Sequence, residues 1–357
     1  MNKNNLKEKM IYGFQQIGIG TPDNPKSFEW YRKNLGFDIS VFEESAEAPL
    51  MTKYTGGKVQ SRKATLALNL NGGSGFEIWQ FTSRKSEKAN FDIQLGDLGI
   101  NICKIKSKNV SQSFSELSNK NVEIISTIET APNKKKHFFI KDLFGNIFQI
   151  VESDDWFSDT KFLTGGFSGV IIGVSDIEKS LKLYSDILGF KEIVYDKSGY
   201  FEDLKELSSG NKKFRRILLN STFDTGGFSK LFGAGQIELI QSLERKPEKI
   251  FKNRFWGDQG FIHLCFDVKG MNLLKKECAE KEFPFTVDSE GAFEMENASG
   301  HFTYIEDPDG TLIEFVEAHK LPIIEKFGWN LNLNKRNPHK TLPNFIIKAL
   351  KFSRIKD

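Results

Sequence analysis

The sequence predicts an α+β fold of four similar units, each a strand, a helix and then further strands, followed by a basic helical tail. Three observations carry that expectation. The chain repeats one pattern several times, Gly punctuates the copies at matching places, and runs rich in β-branched and aromatic residues flank each helix. At 357 residues the chain is too long for one ordinary core and suits two domains, which its 33 Phe can fill.

The first unit opens with a strand near residues 14–20. A helix follows with a polar start at Asn24-Pro25, a stop at Gly36 and an apolar stripe of Phe28, Tyr31 and Leu35. The unit closes on Gly75-Phe76-Glu77-Ile78-Trp79-Gln80. The second unit runs from Gly99-Ile100-Asn101-Ile102-Cys103 through a polar helix near 110–118 to a strand over 147–152, entered by the turn Asp142-x-x-Gly145.

The third unit repeats the first. A strand near 170–174 precedes a helix from Asp176 to Gly189, where Leu181, Tyr184 and Leu188 stand in for Phe28, Tyr31 and Leu35. The fourth opens on Gly260-Phe261-Ile262-His263-Leu264-Cys265 and closes after Asp307-Pro308-Asp309-Gly310 on a strand to Glu317. A linker near 153–166 separates two pairs, so the expected domains span 10–153 and 165–318, with an extension over 319–357.

Composition excludes several classes. A net charge of +3 gives no argument for nucleic acid, and no apolar run reaches the length of a membrane span. The N-terminus lacks the apolar core and cleavage site of a secretory leader. Cys103, Cys265 and Cys278 have no CxxC spacing and read as reduced thiols in a cytoplasmic protein. A small-molecule substrate is the expected partner, and monomer and homodimer both stay open.

The helix ends Leu35-Gly36-Phe37 and Leu188-Gly189-Phe190, together with the Asp-x-x-Gly turns and the strands that follow them, resemble the vicinal oxygen chelate superfamily. That superfamily includes glyoxalase I, bleomycin-binding proteins and extradiol dioxygenases, and the resemblance covers residues 12–317. It implies glyoxalase-like domains in which two units curl around one metal. Each unit would offer one ligand from its first strand and one from its last. The pairs are then Gln16 and Glu77, Asn101 and Gln149, Gly169 and Glu238, and His263 and Glu314.

If neighbouring units pair, neither site is complete. If the first pairs with the fourth, Gln16, Glu77, His263 and Glu314 gather in one place. Ligand chemistry favours this crossed arrangement, and a site within the second half is the alternative. Two carboxylates, an imidazole and an amide oxygen suit a divalent ion such as Zn, Ni, Co, Mn or Fe.

The resemblance implies chelation of a substrate through vicinal oxygens and stabilisation of an enediolate, in an isomerase or lyase reaction. Glu314 is the first choice of base and Glu77 the second. The positions that hold glutathione in the glutathione-dependent relatives are Gly20, Phe81 and Gln259 here, so strict glutathione dependence is not expected. Two alternatives stay open. One is a ring-cleaving or hydroxyphenylpyruvate-type dioxygenase, though Gly169 stands where the latter needs histidine. The other is a non-catalytic, antibiotic-sequestering binder.

Trp79, His301 and Tyr304 are candidates for substrate contact; Trp79 suits ordinary core as well, and a core or surface role is the favoured reading of the other two. Residues 320–357 carry nine Lys or Arg against two acids, and 343–352 read as a short helix. Phe327 and Trp329 invite burial of this tail across the domains.

Overall fold

The computed structural model describes residues 6–290, 293–294, 299–324 and 329–355. The first unit contains β1 (Met10–Gly20), α1 (Asn24–Leu35), β2 (Ile39–Glu47), β3 (Ser61–Leu68) and β4 (Gly75–Phe81). The second contains β5 (Gly99–Ser107), α2 (Val110–Asn119), the short β6 (Glu123–Ile124) and β7 (Glu129–Thr130), then β8 (Lys136–Lys141) and β9 (Ile147–Glu152).

The third unit contains β10 (Thr164–Gly173), α3 (Ile177–Tyr184), β11 (Glu192–Gly199), β12 (Phe214–Ser221), α4 (Ser229–Phe232) and β13 (Gly235–Ser242). The fourth contains β14 (Gly260–Lys269), α5 (Met271–Glu280), β15 (Val287–Asp288), β16 (Phe293–Glu294), β17 (Ser299–Glu306) and β18 (Leu312–Ile324). The tail adds β19 (Trp329–Asn332), α6 (Asn344–Ala349) and a 3-10 turn over Leu350–Ser353. Phe327 and the side chain of Trp329 lie outside the described residues.

The strands form two sheets, and each sheet draws on both halves of the sequence. The larger runs β15-β17-β18-β14-β1-β4-β3-β2, which joins the fourth unit to the first. The other runs β11-β12-β13-β10-β5-β9-β8-β6 and joins the third to the second. The joints are antiparallel pairings of first strands, β1 with β14 and β5 with β10. Within each unit the first strand lies parallel to the last, as β1 does to β4 and β14 to β18.

Neighbouring units are tied by another contact. The Tyr31 hydroxyl of α1 donates to Asp142 at 2.5 Å, and Tyr184 of α3 donates to Asp307 at 2.9 Å. Each aspartate also shapes its own turn, Asp142 accepting from the Phe144 and Asn146 amides and Asp307 from those of Asp309 and Thr311. The Asp-x-x-Gly repeats therefore shape turns and anchor the preceding unit's helix.

The helices' apolar faces pack into a Phe-rich core behind both sheets. The Phe14 ring sits 5.0 Å from Phe167 of the other sheet and 4.9 Å from Phe266 on the adjacent strand. Asp23, one residue before the expected start, caps α1 by accepting from the Lys26 amide at 3.0 Å. Gly36 ends that helix in the left-handed conformation. α3 stops at Tyr184, five residues short of Gly189, and irregular turns carry Ile187 and Leu188 into the core.

Candidate metal centre

Strand register brings four sequence-distant side chains to one face of the larger sheet. Gly18 of β1 lies beside Glu77 of β4 and beside His263 of β14. Side chains alternate faces along a strand, so Gln16, two residues before Gly18, shares its face. Glu314 of β18 pairs with Cys265, two residues after His263. The crossed grouping of the first and fourth units thus places these groups together.

His263 Nε2 lies 3.2 Å from Glu77 Oε2 and 3.1 Å from Glu314 Oε2. The imidazole is fully buried. Despite those distances the groups are not aligned as hydrogen bonds: both His263 nitrogens, Glu314 Oε2 and Gln16 Oε1 are buried without a hydrogen-bond partner. Burial works against an imidazolium here, yet the Glu314 and Glu77 carboxylates outweigh it and raise the His263 pKa to about 9.

These residues fit a divalent ion. Unpartnered lone pairs converge from an imidazole and a carboxylate, an amide oxygen opens on the same cavity, and two carboxylates match a double positive charge. Among the described residues no Lys or Arg forms an ion pair with Glu77 or Glu314.

The site opens into a cavity of about 340 Å³. One wall is Met51, Trp79, Trp256 and Tyr304, and the other is Leu68, Phe228, Leu231, Phe232 and Leu350. The Trp256 ring lies parallel to that of His263 at 6.4 Å, and the Tyr304 ring meets it edge-on at 5.6 Å. Arg62 is the one Lys or Arg among the described lining residues, and Glu44 holds it at 2.7 Å.

Of the substrate-contact candidates, Trp79 and Tyr304 line the cavity. His301 does not. It alternates with Phe302 and Tyr304 along β17, so its ring faces the other way and Nε2 meets Asp288 at 2.6 Å. Trp256 and the α4 residues carried no sequence signal, because they reach the cavity from a loop and an insertion in a unit that builds the other sheet.

The second sheet handles the equivalent position differently. Glu238 accepts from Lys104 at 2.7 Å, Arg216 at 2.7 Å and Tyr195 at 2.8 Å, while Arg216 also reaches Asp203 at 2.8 Å. Burial opposes the Glu238 charge, but Arg216 and Lys104 overcome it and hold the carboxyl well below its usual range. Gln149 pairs in register with Lys104 as Glu314 does with Cys265. Ile102, one residue beyond Asn101, is therefore the counterpart of His263. The Asn101 amide instead closes a turn, donating to Asp97 and Gly99 and accepting from Gly96.

The sequence matches the model of the Glyoxalase/Bleomycin resistance protein/Dioxygenase superfamily twice, over residues 13–150 and 166–315. The chain belongs to this superfamily. Among solved structures, glyoxalase I from Zea mays is similar at 14% identity and a TM-score of 0.54, over 87% of this chain and 92% of that one. A putative dioxygenase from Bacillus subtilis matches at 14% identity and a TM-score of 0.53, over 86% of each chain. No curated protein matches the sequence. At such identities the likeness is one of fold, and glyoxalase-superfamily folds host varied chemistry, so the activity rests on the site itself.

Proposed function

We propose that this superfamily member is a divalent-metal-dependent lyase or isomerase of glyoxalase-like chemistry, acting in the cytoplasm on a small molecule with two adjacent oxygens. The observation that carries the reading is the meeting of Glu77, His263 and Glu314, with Gln16 beside them, around buried unpartnered atoms and, among the described residues, no Lys or Arg paired with either carboxylate. Gln16, Glu77, His263 and Glu314 would hold the ion, with Zn, Ni, Co, Mn and Fe all compatible with this donor set. A cation bound there supplies a Lewis acid that stabilises negative charge developing on neighbouring substrate oxygens.

Glu314 is the proton acceptor in this reading. Its Oε2 is buried and faces the cavity, 3.1 Å from His263 Nε2. Glu77, on the other side of His263, is the second carboxylate and the alternative base. Trp79, Trp256 and Tyr304 flank the reacting groups, orient an apolar substrate body and exclude water. With Arg62 engaged by Glu44, the described lining offers no free Lys or Arg to pair a glutathione carboxylate, which supports a neutral substrate.

The test is metal analysis of the purified protein, then removal and return of Zn, Ni, Co, Mn and Fe while following proton exchange at the hydroxyl-bearing carbon of neutral α-hydroxy ketones. Near-unit stoichiometry and metal-restored exchange are expected. Absence of both would overturn the reading in favour of a metal-free binder, and oxygen consumption with catechols would replace it with a dioxygenase.

A further inference from the structure

The C-terminal helix has two faces with different chemistry. Inward, Ile346, Ile347, Ala349 and Leu350 are buried, and Leu350 forms part of the cavity wall. Outward, Phe345 and Phe352 are 68% and 63% exposed, with Lys348 between them on the same face and Lys351 beside them. Large exposed aromatics one heptad apart are unusual on a solvated helix.

Charge along the described tail is one-signed. Residues 329–355 contain six Lys or Arg and no Asp or Glu. Of these six, Arg354 is the one that forms an ion pair among the described residues, with Asp38 at 3.0 Å. Arg354 and Ile355 also border a second cavity of about 620 Å³, lined by five cationic side chains, Lys161 among them, against Asp38 and Glu116, with Lys120 paired to Glu116 and Lys33 to Glu29. Aromatic side chains flanked by lysines, next to a cationic recess, form an amphipathic surface complementary to negatively charged headgroups above a hydrocarbon layer.

We infer that this face docks the protein on the surface of an anionic lipid bilayer. Phe345 and Phe352 enter the interface, Lys348 and Lys351 meet the headgroups, and the cationic recess takes a lipid phosphate. The helix lies on the surface, since no helix of the described residues is long and apolar enough to cross a membrane. Because the inner face of the same helix walls the candidate site, docking places an apolar cavity beside a source of apolar substrates.

The test is co-sedimentation of the full chain with phosphatidylcholine vesicles, with and without phosphatidylglycerol. Binding is expected to the anionic vesicles alone and to fall steeply with added salt. Each of Lys348→Gln and Lys351→Gln should weaken it about fivefold, and the pair Phe345→Ser and Phe352→Ser by more than tenfold. These side chains are exposed, so circular dichroism and metal content should stay unchanged. No binding to anionic vesicles, equal binding to neutral ones, or indifference to the phenylalanine pair overturns the proposal. So does capture of a fluorescent RNA oligonucleotide without vesicle binding.

Discussion

His263 stands opposite Gly18 in the antiparallel pairing of β14 with β1, and its imidazole fills the space a side chain at position 18 would need. A Cβ there would come within 2.4 Å of Cε1 and 2.7 Å of both ring nitrogens. A glycine on one half of the chain thus makes room for a candidate ligand on the other.

Gly18→Ala should therefore fold but displace the imidazole. The loss expected is about 10- to 100-fold in metal affinity, as when a metal ligand loses its supporting contacts. Metal stoichiometry with a parallel thermal melt checks it. Retained affinity would mean that His263 is not a ligand.

Metal binding should release a proton. Between the ordinary histidine value near 6.5 and the raised value of about 9, the metal-free folded imidazole is protonated, whereas a ligand must be neutral. Calorimetry at neutral pH in buffers of different ionisation heat should show close to one proton released per ion. Apparent affinity should rise with pH and level off above about 9. The sign for metal-free stability is opposite. The imidazolium's contribution is fully present below about 6.5 and is lost as pH rises through about 9.

Glu314→Gln keeps shape and an oxygen donor while removing the base. Turnover should fall by about 10²-fold or more, the usual scale for a general base, with metal affinity reduced less. If Glu77→Gln causes the larger loss in turnover, the roles of the two carboxylates are exchanged.

Lys104→Met leaves Arg216 as the one Lys or Arg, among the described residues, paired with Glu238 and Asp203 in a buried cluster. Breaking such a pair by removing one partner costs about 3–5 kcal/mol. Denaturant unfolding should show that loss, while metal stoichiometry at the other sheet stays the same.

Asp267 offers a separate pH signal. Burial, with Glu317 nearby, pushes its carboxyl up to about 8. Relative to an unfolded carboxylate, its contribution is fully present below about pH 4 and is lost as pH rises through about 8. Asp267→Asn should therefore stabilise the protein increasingly from pH 5 to 9, measured by paired denaturation curves. A pH-independent difference would show that Asp267 ionises freely.

Much of the fold was legible because its signals are local. The Tyr31 and Tyr184 stripes, the glycines at 36 and 189, and the two Asp-x-x-Gly turns each state a backbone requirement within a dozen residues. The candidate ligands followed from the superfamily resemblance, carried onto matching positions of those repeats. What misled was phase. Asn101 for Ile102, and His301 for the cavity-facing Phe302, are one-residue slips, and on a strand one residue turns a side chain to the other face.

By itself the sequence determined four strand-and-helix units, their capped helices, and the chemistry of Gln16, Glu77, His263 and Glu314, because local periodicity and side-chain type are written residue by residue. Ligand chemistry favoured joining the first unit to the fourth, and only the tertiary structure decided it. That pairing is made by backbone hydrogen bonds between β1 and β14, about 250 residues apart in the chain, and backbone bonds carry no side-chain signature. Tertiary structure also decided that Lys104 and Arg216 neutralise Glu238 in one sheet, while Glu77 and Glu314 in the other face a buried imidazole, unpartnered oxygens and an apolar cavity.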